Sequence, residues 1–184
     1  MKKFVNSIRL SARGFVSPPV VAACGMLLAL KVVLGLFTLN VSNLLKIGFS
    51  FLPIAVAGLL FGPVAGGIVG AAGDVVSYFI SPTGPYFPGF TLNAFLSGFL
   101  YGAILFGRPV RLWRVFSAKA SVTLLVSLLL NPLWLSVLYG KGFIAVFSVR
   151  IATNLALLPI ETALLFVVLK VLEKAHVPQL GQNF

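Results

Sequence analysis

The chain has 184 residues, of which 59% are hydrophobic and only 9% are charged. Soluble domains carry about 25% charged residues, so this chain has too little polar surface to cover a water-soluble core of its size. The composition excludes an ordinary soluble domain and indicates an integral membrane protein, with membrane lipid as its first partner. The formal net charge is +11. Because the basic residues cluster near helix ends, that charge indicates orientation in a membrane and no nucleic acid partner.

The first two predicted elements are a basic N-terminal arm at 1–18 and an apolar helix at 19–39. A membrane-spanning helix needs about 20 apolar residues. Apolar runs separated by Gly and Pro breaks predict six such helices in one all-α membrane domain covering residues 1–184. Their predicted ranges are 19–39, 44–61, 64–80, 90–106, 121–139 and 143–172.

Two breaks in this pattern are specific. Gly62-Pro63 separates the second predicted helix from the third, since proline cannot continue a helix interior. The segment 81–89 has three prolines and two glycines and is therefore predicted as a loop.

Loop charge predicts the orientation of the helices. The arm at 1–18, the loop between the fourth and fifth helices and the C-terminal tail lie on one side of a six-helix chain. Both termini are therefore predicted to be cytoplasmic. The basic residues on that side are Lys2, Lys3, Arg9, Arg13, Arg108, Arg111, Arg114, Lys119, Lys170 and Lys174.

Four ionisable residues are predicted at mid-membrane or in the outer half: Lys31, Lys46, Asp74 and Arg150. Ionisable groups at such depth are costly and are usually functional or paired. Three cations and one carboxylate leave a positive excess, which suits an anionic ligand, and arginine can hold a carboxylate through two hydrogen bonds. Two alternatives stay open: Asp74 forms a purely structural ion pair with Lys31 or Arg150, or the lysines extend towards water.

Further residues are candidates for the same outer site. Asn154 lies one helical turn after Arg150, and Asn93 lies near the outer end of the fourth helix. Both are hydrogen-bonding candidates, with an interhelical contact as the alternative for Asn93. Tyr86, Phe87 and Phe90 form either a lid that stacks on a flat ligand or an ordinary interfacial aromatic belt.

Small residues form a stripe along the first predicted helix. Such a stripe lets another helix approach closely, either within this chain or from a separate membrane subunit. The residues are Ala22, Ala23, Gly25 and Ala29.

The sequence lacks the residues of the common enzyme sites. Cys24 is the single cysteine and His176 the single histidine, so no intramolecular disulfide, metal cluster or Cys/His dyad is predicted. There is no G-x-x-x-x-G-K-[ST], H-E-x-x-H or G-x-S-x-G motif. We therefore expect no enzyme activity, no cofactor and no metal. Uphill transport would need a partner or a coupled ion.

Several segments together resemble the folate-specific S components of energy-coupling factor transporters. They are the run 45–53, Leu60-Phe61-Gly62-Pro63, Gly70 with Asp74, the run Tyr86-Phe87-Pro88-Gly89-Phe90-Thr91-Leu92, and Arg150 with Asn154, Pro159 and Glu161. The resemblance extends from the first to the sixth predicted helix. The start of the second helix and the run 86–92 are its most specific parts.

The resemblance implies a six-helix subunit of a prokaryotic plasma membrane. Such a subunit binds folate with high affinity from outside and assembles with a transmembrane coupling subunit and two cytoplasmic ATPases. Small residues on the first helix would form the coupling surface. Asp74 would accept hydrogen bonds from the pterin edge, aromatic rings would sandwich the pterin, and Lys or Arg would hold the glutamate end. The alternatives are another vitamin (riboflavin, thiamine or a queuosine precursor) and a scaffold subunit without a small ligand.

Overall fold

The structure, a computed structural model, describes residues 11, 17–37, 39–40, 46–82, 85–139 and 143–175. The secondary structure of the described residues is helical, apart from one short two-stranded antiparallel sheet. The elements in order are α1 Pro18–Leu36, β1 Leu39–Asn40, β2 Lys46–Ile47, α2 Phe51–Ile80, α3 Pro88–Leu105, α4 Leu112–Val122, a π-helical segment Thr123–Leu130, α5 Asn131–Tyr139 and α6 Phe143–Lys174.

Five helical segments of this part of the chain are long and apolar enough to cross a membrane. They are Pro18–Leu36, Phe51–Ile80, Pro88–Leu105, Leu112–Leu138 and Arg150–Lys174. The predicted helical membrane protein is therefore confirmed in its class.

Helix α2 folds back on itself at Gly62. This residue has φ 90° and ψ −174°, a conformation that glycine adopts without steric cost. A Cβ atom built on Gly66 would lie 2.9 Å from the Cα atom of Gly58. Eight residues of straight helix would separate the two by about 12 Å. The two halves of α2 are therefore packed against each other, and the break predicted at Gly62-Pro63 is present.

A serine from the N-terminal arm holds this turn. The Ser11 hydroxyl donates a hydrogen bond of 2.7 Å to the Phe61 carbonyl oxygen. It accepts bonds of 3.2 Å from the Val64 amide and 3.4 Å from the Ala65 amide. A new helical segment starts with unpaired N–H groups, and a hydroxyl is a preferred acceptor for them. Ser11 acts as this cap although it lies far away in the sequence.

The second half of α2 packs tightly against α3 through small residues. A Cβ atom on Gly66 would lie 2.7 Å from the carbonyl oxygen of Gly98. A methyl group at that position would force the two helices apart. This close contact aligns α2 and α3 and thereby places Asp74 next to the start of α3.

The connection between α1 and α2 differs from the prediction. Helix α1 ends at Leu36, and α2 begins at Phe51, whereas helices to Leu39 and from Leu44 were predicted. The two strands between them pair antiparallel, Leu39 with Ile47 and Asn40 with Lys46. A helix starting at Leu44 would have placed Pro53 in its interior, where it removes a hydrogen bond and clashes, whereas the first turn of α2 tolerates it.

The fifth predicted helix also starts earlier than expected, at Leu112 and not at Ser121. The helical path continues from there to Tyr139, with the π-helical segment directly before Asn131-Pro132. The Asn131 amide bonds the Val126 carbonyl, an i→i−5 bond. Proline has no amide hydrogen to donate, and π-helical turns are a known way to absorb such a gap.

This earlier start places Lys119 inside the bundle and not in a loop. Its Nζ atom lies 2.9 Å from Oε2 of Glu161 on α6 and 3.9 Å from the centre of the Phe51 ring. The Lys119 side chain is 8% exposed and that of Glu161 16%. The fully buried Tyr101 interacts electrostatically with both charges. Lys119 was counted with the loop charges, and the structure corrects that interpretation.

Both described ends of the chain lie at one end of the bundle. Ser11 contacts the Gly62 turn, which also approaches Phe106. The amide of Val110 donates a 2.9 Å bond to Glu173 near the end of α6. We call this end proximal. The opposite end, where α2 finishes and α3 starts, is called distal.

Candidate functional site

Asp74 lies in the distal part of α2 and is partly buried. Its Oδ2 atom accepts a 2.8 Å hydrogen bond from the hydroxyl of Thr91 in the first turn of α3. The phenol oxygen of Tyr86 lies 3.0 Å from the same Thr91 hydroxyl. Because an ionised carboxylate only accepts, Thr91 must use its one hydrogen on Asp74, and Tyr86 must be the donor to Thr91. The three residues form a directed chain that orients the carboxylate.

Lys31 of α1 lies next to this carboxylate. Lys31 is 6% exposed. Its ammonium donates a 3.3 Å bond to the Gly70 carbonyl oxygen. Its charge interacts with that of Asp74 without a direct ion pair within 4.0 Å. Lys31 is therefore held inside the bundle by α2 and does not extend towards water.

The absence of a side chain at Gly73 makes room for Lys31. A Cβ atom on Gly73 would overlap the Lys31 side chain, with Nζ at 2.9 Å. Gly73, the residue before Asp74, therefore leaves the space in which Lys31 packs against α2. This packing holds the Lys31 side chain against α2 one residue before Asp74.

Asn93 and three aromatic rings form a second cluster on another side of α3. The indole nitrogen of Trp134 on α5 donates a 3.1 Å bond to Oδ1 of Asn93. The Phe87 ring lies 5.5 Å from that of Trp134 and 5.9 Å from that of Phe90. Asn93 is buried, and its Nδ2 atom has no hydrogen-bond partner in the described structure. A buried donor without a protein partner suits a ligand acceptor.

Trp134 was missed by the sequence analysis. Its signal was its position near the outer end of the fifth predicted helix, just after Asn131-Pro132. An amphipathic ring there is typical of a membrane interface, so the sequence does not distinguish it from an ordinary belt residue. Thr91 was also missed, although it lies inside the run 86–92.

Among the described residues, no hydrogen bond or ion pair joins Arg150 or Asn154 to Asp74. Asn154 donates a 2.8 Å bond to the Arg150 carbonyl of its own helix, and the Arg150 side chain is half-buried. The described structure therefore does not contain the Asp74–Arg150 ion pair that was one of the two open alternatives. The backbone of Lys46 lies in β2, and its side chain is outside the part of the chain that can be described.

The small-residue stripe of α1 points away from the bundle. Ala22, Gly25 and Ala29 are exposed. A Cβ atom on Gly25 would meet nothing within 4 Å. Ala23 is half-buried and packs against the core. Internal packing therefore accounts for Ala23 and leaves the other three on an open face, next to Met26, which is 75% exposed.

These features define an integral membrane protein built from apolar helices, with charged and aromatic side chains gathered at the distal end of the bundle. Residues 20–169 match a protein-family model, and that family is described as the substrate-specific component of ECF transporters. The chain belongs to this family of transporter subunits, whose role is substrate binding and not catalysis.

Named relatives and a solved structure agree with this membership. The chain is 35% identical over 151 residues to the folate transporter FolT of Clostridium novyi, covering 82% of this chain and 88% of that protein. It is 30% identical over 150 residues to the folate transporter FolT of Leuconostoc mesenteroides, covering 78% and 80%. A crystal structure of FolT bound with folic acid superposes with a TM-score of 0.75 at 36% identity, covering 83% of this chain and 93% of the other.

Proposed function

We propose that this chain is the high-affinity folate-binding subunit of an ECF-type vitamin uptake transporter, energised by separate coupling and ATPase subunits. Two relatives carry the name of folate transporters, and a similar structure contains folic acid. The observation that carries the proposal is the Asp74 carboxylate, oriented by Thr91 and flanked by Lys31 at the distal end. The roles of the individual site residues in folate binding are likewise proposals.

The proposed contacts follow from the chemistry of folate. Its flat pterin ring presents adjacent N–H donors along one edge, and a carboxylate such as Asp74 accepts from two donors at once. Its glutamate end carries two carboxylates, for which Lys46 and Arg150 are the candidate cations, whereas Lys31 lies near the proposed pterin acceptor Asp74. The distal aromatic residues pack against the ring faces. These are Tyr86, Phe87 and Phe90, with Asn93 and Asn154 as hydrogen-bonding candidates.

We also propose six membrane crossings with both termini in the cytoplasm. Five candidate spans alone would put the chain ends on opposite sides. The turn at Gly62 adds a crossing, because it returns the chain along α2. The positions of Ser11 and Glu173 at one end of the bundle support an even number. The basic residues of that end make it the cytoplasmic side, so the distal site faces outward.

The proposed partners are a transmembrane coupling subunit and two cytoplasmic ATPases in a prokaryotic plasma membrane. The open face of α1 at Ala22, Gly25 and Ala29 is the proposed docking surface for the coupling subunit, with Ala23 at its inner edge. Small exposed residues let a second helix approach closely, and lipid contact alone requires no such stripe.

A bulky residue on this face should separate binding from transport. We expect Gly25→Leu to keep folate affinity within about twofold, because no atom of the described protein is near that position, and to abolish assembly with the coupling subunit. Copurification of the co-expressed subunits measures this. The matched control is Ala163→Leu, which enlarges an exposed alanine of α6. Equal assembly of Gly25→Leu and wild type would rule out this docking surface.

A methyl group at Gly73 should displace Lys31. We expect Gly73→Ala to weaken folate binding about tenfold with little loss of thermal stability, because only the flexible end of a lysine must move. Calorimetry with folate measures the affinity. Gly25→Ala is the matched control, since its new methyl group meets open space. Unchanged affinity of Gly73→Ala would remove Lys31 from the site.

A panel of vitamins tests the proposed function against its alternatives. The melting temperature of the detergent-purified protein should rise with folate and not with riboflavin, thiamine or a queuosine precursor, because only a bound ligand stabilises the native state. A rise with another vitamin alone would reassign the substrate. No rise with any of them would favour the scaffold alternative.

A further inference from the structure

We propose that Thr91 is a positioning residue for folate recognition: it fixes the Asp74 carboxylate for the pterin edge and links it to Tyr86, which lies in the distal segment 85–87 directly before α3. This inference rests on the proposed function and deepens it. Its basis is the hydrogen-bonded chain from Tyr86 through Thr91 to Asp74, with distances of 3.0 and 2.8 Å.

The hydrogen-bonded chain uses one of the two carboxylate oxygens of Asp74. Thr91 occupies Oδ2, and no described residue donates a hydrogen bond to Oδ1. A carboxylate that must accept from two adjacent N–H donors needs its plane fixed, since free rotation about its terminal torsion costs conformational entropy when the ligand orders it. One hydrogen bond from a threonine on a neighbouring helix supplies that constraint before the ligand arrives.

Thr91 is well placed for this role. Its branched side chain has restricted χ1 freedom, and it lies in the first turn of α3, which packs closely on α2 through Gly66 and Gly98. The hydroxyl therefore stays at a fixed distance from Asp74. Valine would fill the same space but lacks the hydroxyl group that donates to Asp74. Serine would keep the hydroxyl group and lose only the methyl group.

Tyr86 extends the constraint to the segment that precedes α3. Its ring packs edge-on against Tyr78 at 5.2 Å, one helical turn beyond Asp74 on α2. Its hydroxyl group donates a hydrogen bond to the Thr91 hydroxyl. Movement of this distal segment therefore breaks the bond to Thr91, and the orientation of Asp74 depends on the segment being in place.

A double-mutant cycle tests the inference on the full-length protein in detergent, by calorimetry with folate. Thr91→Val should weaken binding about tenfold, and Thr91→Ser should restore it to within about threefold of wild type. Combining Thr91→Val with Asp74→Ala should weaken binding no further than Asp74→Ala alone, because Thr91 acts only through that carboxylate. The melting temperatures of all variants without folate serve as the folding control.

The outcomes separate this inference from the proposed function. Wild-type protein that does not bind folate would contradict the proposed function itself. Wild-type binding with a strong Asp74→Ala effect, but unchanged affinity in Thr91→Val, would overturn the inference and leave the function standing. Additive losses in the double variant would also overturn it, since they would show a role independent of Asp74. Failure of Thr91→Ser to restore binding would overturn it as well, since the hydroxyl group would then not be what positions the carboxylate.

Discussion

Replacing Asp74 with alanine is expected to weaken folate binding about 100-fold or more in protein that remains folded. A hydrogen bond to a charged group contributes about 1.5–3 kcal/mol, and the pterin edge offers two donors. Loss of about 3 kcal/mol corresponds to a factor above 100 in the dissociation constant. Titration calorimetry of the purified variant measures the change directly.

The control for this variant is Glu173→Ala, which removes a carboxylate from the proximal end. Glu173 bonds Val110 and Lys170 and lies far from the distal cluster. We expect its folate affinity to match the wild type. An Asp74→Ala protein with a normal melting temperature and normal folate affinity would remove Asp74 from the site.

The Lys119–Glu161 pair should give the largest loss of stability. Lys119→Met leaves the Glu161 carboxylate enclosed among α3, α4 and α6 without its cation. Removing one partner of a buried ion pair costs about 3–5 kcal/mol. For a chain of this size that corresponds to a fall in melting temperature of about 6–20 °C. Thermal unfolding of the detergent-purified variant measures it.

Two further variants identify the cause of that loss. Lys119→Met combined with Glu161→Gln removes both charges and should recover much of the stability, because no unpaired charge remains. Lys170→Met disrupts the more exposed Lys170–Glu173 pair, whose side chains are 43% and 34% exposed, and should shift the melting temperature only slightly. An equally small shift in Lys119→Met would contradict the structural role of the buried pair.

The sequence predicted the features that depend on local chemistry. Long apolar runs are sufficient to place most of the membrane-crossing helices, and the Gly62-Pro63 break follows from the backbone limits of those two residues. Family membership was also predicted from short motifs and is confirmed by the match over residues 20–169. The sequence placed Lys31, Asp74 and Arg150 at similar depth but did not decide which of the two cations lies nearer to Asp74.

The sequence failed where an interaction joins distant segments. Lys119 follows Arg108, Arg111 and Arg114 closely, so its charge was assigned to the same loop. Only the packing of α4 against α6 shows that it pairs with Glu161. Ser11 is an ordinary residue of a basic arm until the turn at Gly62 brings three of its partners together.

Helix boundaries failed for a related reason. The start of α2 at Phe51 depends on where Pro53 is tolerated, and apolar content alone does not show that position. In the site, Thr91 and Trp134 became visible only through their bonds to Asp74 and Asn93. Neither residue is charged, and neither was distinguished in the sequence from an ordinary helix or membrane-interface residue.

We propose that the charged and aromatic side chains at the distal end bind folate. Calorimetric titration of the purified wild-type protein with folate tests this most directly. We predict saturable binding of one folate per chain, with an affinity high enough for a scavenging transporter. Titration that gives no saturable heat, from protein shown to be folded by its melting transition, would contradict the account.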